Sequence, residues 1–106
     1  MNRSAYISIG RNIQGTPMPL EKWQEFRIAL RVGVFRYGNI VTVASGKGVY
    51  KGQTEETFLL VLSLSKWDDS VRKPLHKALE NLAKEYGQES ITLTVGVPEF
   101  VGDHPE

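Results

Sequence analysis

The sequence predicts an α+β sandwich in which one antiparallel sheet of four strands carries two helices on one face. Two periodicities and one ordering predict it. Apolar and polar residues alternate near Ala5 to Ile9 and near Ile91 to Val97, the period of a half-buried strand. Apolar residues recur at helical spacing through Leu20, Trp23, Phe26, Leu30 and Val34, and again through Val71, Leu75, Leu79, Leu82 and Tyr86. The elements follow as strand, helix, strand, strand, helix, strand, with no linker, repeat or low-complexity stretch between them.

In the first strand Ile7 and Ile9 share one face, and Tyr6 and Ser8 the other. The first helix starts near Pro19, whose fixed φ suits a first helical position, with Glu21 complementing the dipole. Gly33 and Gly38 mark its end. Asn39 to Ala44 is rich in β-branched residues and reads as the second strand, and Ser45-Gly46-Lys47-Gly48 as a hairpin turn. The third strand runs from Thr57 to Ser65, with Phe58, Leu60, Leu62 and Leu64 on one face and Leu59, Val61 and Ser63 on the other. Asp68-Asp69-Ser70 supplies capping chemistry for the second helix, and Gly87 ends it. Pro74 either opens the regular helix or separates it from an earlier turn. In the last strand Ile91, Leu93, Val95 and Val97 point inward, and Thr92, Thr94 and Gly96 outward.

Right-handed crossovers and short connections favour one arrangement of these elements, the ferredoxin-like βαββαβ sandwich with strand order 4-1-3-2. The expectation is a single domain over residues 1–106, with an ordered core over about 5–98 and a frayed tail over 102–106.

Composition narrows the function classes. A chain of 106 residues with 41% apolar and 24% charged residues has the make-up of one globular domain. A net charge of +1 gives no general attraction to nucleic acid or an acidic membrane. The absence of cysteine removes disulfides, thiolate catalysis and Cys-ligated zinc, and fits a reducing compartment. The longest apolar run, Phe58 to Leu62, is far too short to cross a bilayer, and a cytoplasmic setting is expected.

Gly10-Arg11-Asn12-Ile13-Gln14-Gly15, between a strand and a helix, is the segment whose composition suggests a task beyond folding. The expected topology brings it to the same end of the sheet as Lys47, Lys51, Glu55, Glu56 and the Gln88-Glu89 turn. Arg11, Asn12, Gln14 and Lys47 are therefore candidate contacts for a nucleotide or other small anionic ligand. Gly46-Lys47-Gly48 lacks the glycine spacing and the following Ser or Thr of a phosphate-binding P-loop. On the open face of the sheet, Tyr6, Leu59, Val61, Thr92 and Thr94 form a candidate self-association surface, apolar at Leu59 and Val61.

No catalytic set, cofactor motif or metal site is expected. His76 lies among charged helix residues and His104 in the tail, with no second ligand at metal spacing. Asp68 and Asp69 read as capping residues, and Glu55 with Glu56 as a charge pair at a strand start. A sheet of this topology invites comparison with RNA-recognition motifs, but only Tyr6 offers a ring for a base to stack on. The Gly10 to Gly15 run resembles the first loop of acylphosphatases; the arginine that follows that loop in the family is replaced by Thr16-Pro17-Met18-Pro19.

A broader resemblance rests on Tyr6-Ile7-Ser8-Ile9-Gly10-Arg11-Asn12, Pro17-Met18, Trp23, Phe26, Glu55-Glu56, Tyr86-Gly87-Gln88-Glu89 and Leu93-Thr94-Val95-Gly96. These segments are similar to small uncharacterised proteins of actinobacterial bacteriophages. The resemblance implies a setting in the cytoplasm of an infected bacterium and binding to a host component. The expected function is a non-enzymatic, self-associating binding protein, a homo-oligomer with a host protein as partner. The alternatives are the anion binder above and an acylphosphatase-like hydrolase.

Overall fold

The structure, a computed structural model, describes residues 2–102; residues 103–106, most of the expected tail, lie outside the described residues. The chain forms β1 (Arg3–Gly10), β2 (Asn12–Ile13), β3 (Thr16–Pro17), α1 (Leu20–Val34), a short 3-10 turn (Phe35–Tyr37), β4 (Asn39–Tyr50), β5 (Gln53–Leu64), α2 (Asp69–Glu85) and β6 (Thr92–Gly96). It is an α+β fold of two helices on a four-stranded antiparallel sheet. Hydrogen bonding orders that sheet β4-β5-β1-β6, and β2 pairs with β3 in a separate small hairpin. The expected order 4-1-3-2 does not stand as written, because it counts four strands and the hairpin adds two more. No described helix is long and apolar enough to cross a membrane.

The alternation in β1 and β5 does what its period requires. Ala5, Ile7 and Ile9 meet Phe58, Leu60, Leu62 and Leu64 on the buried face. Helix α1 lays Trp23, Phe26, Leu30 and Val34 on that face, and α2 adds Leu75, Leu79 and Leu82. Leu20 departs from its expected core place and is 55% exposed in the first turn of α1. The centre of the core is aromatic: the Phe26 ring stacks on Tyr86 at 4.6 Å and 16° and meets Trp23 edge-on at 6.2 Å.

Asp68 caps α2, its Oδ1 accepting the Ser70 N–H at 2.9 Å. The Ser70 hydroxyl, and to a lesser degree that N–H, hold its carboxyl below the ordinary aspartate value. Helix α2 runs unbroken through Pro74, so the earlier residues are part of it.

The second hairpin corrects the sequence reading. Residues 45–48 are not a turn; β4 continues through them, and the chain reverses at Lys51-Gly52. Both turn residues have positive φ, +51° and +76°, the conformation whose twist matches a two-residue hairpin. A lysine rarely adopts it, and the glycines at 46 and 48 supply the usual turn signal in the wrong place. A glycine suits position 48 of the strand because the diagonal neighbour Thr57 leaves no room for a side chain: a Cβ there would sit 2.5 Å from the Thr57 hydroxyl.

Tyr86 also makes the fold sensitive to alkali. Burial, reinforced by the nearby Glu25 carboxylate, pushes its phenol from 10 up to about 12. Between those values the unfolded chain loses this proton while the folded chain keeps it, so stability falls as pH rises through the window. Replacing Tyr86 by Phe is expected to flatten the alkaline limb of a urea-melt series between pH 9 and 12. An alkaline limb as steep as that of the unaltered chain would show that other groups set it.

Candidate functional site

The open face of the sheet ends in a cleft of about 460 Å³. Ser8, Gly10, Thr57 and Thr92 line it from the sheet, which places its floor on β1, β5 and β6. Its walls are the β2–β3 hairpin, the β4–β5 turn and the loop after α2. Each wall is local chemistry. Gln14 and Gly15 turn with positive φ of 49° and 82° between β2 and β3. Gly87, at φ +70°, reverses the chain after α2, and the Gln88 amide reaches the Asn12 carbonyl at 3.5 Å.

Inside the cleft the central charge is negative. The Glu55 carboxylate lies over Gly10, where a Cβ would collide with it. Its Oε2 accepts the Asn12 N–H at 2.8 Å. Among the described residues Glu55 has no ion-pair partner, whereas Glu56, on the next position and the opposite face, pairs with Arg11. A partly buried carboxylate held by one backbone N–H retains capacity for a cation, a hydroxyl pair or a proton. No group of three His, Cys, Asp or Glu side chains among the described residues gathers to hold a metal.

The four expected ligand residues divide. Asn12 and Gln14 line the cleft. Arg11 does not: its Nε donates to the Met18 carbonyl at 2.8 Å and its Nη1 to Glu56 at 2.9 Å. It ties the loop to the entry of α1 and to β5. Lys47 lies opposite Glu56 in the β4–β5 ladder, also outside the cleft lining. Glu55 is the residue that sequence reasoning missed. Placing the turn at 45–48 hid the ladder in which Glu55 stands opposite Gly48, one face away from Glu56.

The expected self-association residues share the open face, in the cross-strand rows Val61–Tyr6–Thr94 and Leu59–Ser8–Thr92. Tyr6 is 44% exposed and Val61 only 8%, so the most apolar point of the row is already buried within the chain.

The approach of Glu55 to Gly10 gives a direct test. Gly10→Ala is expected to leave the melting temperature near that of the parent, because the displaced group is the end of a flexible side chain. The Asn12 amide resonance should nevertheless move, as its acceptor is pushed away. An unmoved Asn12 resonance would place the carboxylate elsewhere in solution.

No protein-family model matches the sequence, and neither does any curated protein. Two solved structures share the fold. One is a phage SAM lyase in complex with S-methyl-5'-thioadenosine, 21% identical, with a TM-score of 0.61 over 90% of this chain and 80% of that one. The other is a phage SAM lyase in its apo state, 20% identical, with a TM-score of 0.58 over 89% and 78% of the two chains. The expectation of a non-enzymatic binding protein, with its anion-binding and acylphosphatase-like alternatives, gives way on this finding: the fold is shared with an enzyme of another class.

Proposed function

We propose that this chain is a lyase of S-adenosyl sulfonium compounds, with S-adenosylmethionine as substrate and S-methyl-5'-thioadenosine as product, working in a phage setting on a ferredoxin-like frame. The observation that carries the reading is the Glu55 carboxylate, held without a cationic partner among the described residues in a cleft of small-molecule size. A sulfonium is a fixed cation, and a carboxylate partly withdrawn from water attracts it more strongly than one in bulk solvent does. The cited fold likeness supplies the reaction class.

In the proposed reaction the bond between sulfur and the amino-acid side-chain carbon breaks, and its electron pair passes to sulfur. The sulfonium becomes a neutral thioether. The carbon fragment is closed either by losing a neighbouring proton to a base or by attack of its own carboxylate. Glu55 is the counter-charge in both routes and the base in the first.

The test is to incubate the purified chain with S-adenosylmethionine and follow S-methyl-5'-thioadenosine by chromatography, with the second product identified by NMR. Product formation proportional to protein concentration is the expected result. No turnover, together with no heat of binding for S-methyl-5'-thioadenosine, would overturn the reading.

A further inference from the structure

The hairpin that walls the cleft is built as an arm. Pairing between β1 and β5 ends at Gly10 and Thr57, yet β4 and β5 continue for four more pairs, from Lys47–Glu56 to Tyr50–Gln53. A two-stranded ribbon is marginally stable without a third strand or a helix behind it. At its base, three contacts hold this ribbon to the β1 side: the Arg11 N–H on the Glu56 carbonyl at 2.9 Å, the Arg11 guanidinium on the Glu56 carboxylate at 2.9 Å, and the Asn12 N–H on Glu55. At its tip one side chain from the far wall holds it. Glu89, in the loop after α2, accepts the Tyr50 hydroxyl at 3.1 Å and faces the Lys51 ammonium at 3.6 Å, both through Oε2.

We infer that Tyr50, Lys51 and Glu89 form a strap across the mouth of the cleft, which opens to admit a small molecule and closes over it. Three observations carry this. The strap joins two different walls of one cleft, so breaking it widens the mouth without touching the floor. All its members are exposed, Lys51 and Glu89 by 69% and 64% of their side chains, and exposed pairs of this kind are weak enough to break readily. Both ends lie within two residues of glycines of positive φ, Gly52 and Gly87. Closure would shed water from the carboxylate in the cleft, which strengthens any charge contact made there. The identity of the molecule admitted rests on the function proposed above; the motion does not.

The chain has no cysteine, so Val49→Cys with Ser90→Cys gives two unique attachment points beside the strap, leaving its three residues intact. Paired spin labels there report the width of the mouth without any ligand. Two distance populations are expected, and Glu89→Gln should enlarge the longer one. A single distribution that Glu89→Gln leaves unchanged overturns the strap. With S-methyl-5'-thioadenosine as probe, Glu89→Gln should speed dissociation about threefold or more, because tuning of related complexes falls mainly on the off-rate. An unchanged off-rate in a variant that binds also counts against it. Failure of the probe to bind either protein would sink the nucleoside reading, while the label distances still decide the strap.

Discussion

Glu55→Gln is expected to lower kcat/KM for S-adenosylmethionine by about tenfold to a hundredfold while leaving the fold intact. The substitution keeps the length of the side chain and an oxygen able to accept the Asn12 N–H, so the local geometry survives. Only the charge is lost. At a partly buried site a unit charge beside a cation is worth up to about 4 kcal/mol at 4 Å, and water at the mouth of the cleft screens part of it. About 1.4 kcal/mol corresponds to each factor of ten. Steady-state rates and a thermal melt of the same preparation check both halves of the statement. A variant as active as the parent would remove Glu55 from the chemistry, and a variant that melts far lower would make it a structural residue.

Phe26→Ala is expected to be the most damaging single change to stability, at about 3–5 kcal/mol. Its ring is fully buried and stacks on Tyr86, so truncation leaves a void between the two helices' aromatic contributions. A domain of this size holds only about 5–15 kcal/mol in reserve. The melting temperature should therefore fall by at least about 12 °C in a circular-dichroism melt. A fall of less than about 5 °C would mean that Trp23 and Tyr86 collapse into the space.

Both predictions depend on parts of the molecule that differ in how plainly the sequence displays them. Phe26 was legible because burial on a helix repeats every three to four residues, and Trp23, Leu30 and Val34 repeat with it. The faces of β1 and β5 were legible for the same reason at period two. Glu55 was not. Its role depends on where the chain reverses, and Lys51 takes a backbone conformation that its residue type does not advertise. Arg11 is the opposite case. It carries the most suggestive side chain of its loop, but its guanidinium is turned to the Met18 carbonyl and Glu56 and lies outside the cleft lining. Neighbours in space, absent from any local window, decided both cases.

The cleft draws on residues 8–15, 48–57 and 87–92, three stretches separated by two whole helices and most of the sheet. No contiguous piece of the chain contains a functional fraction of it. The cleft is thus complete only when the final strand is docked beside the first. A partly folded chain would be inert rather than weakly active, and any molecule that fits the cleft would draw the whole polypeptide toward its native state.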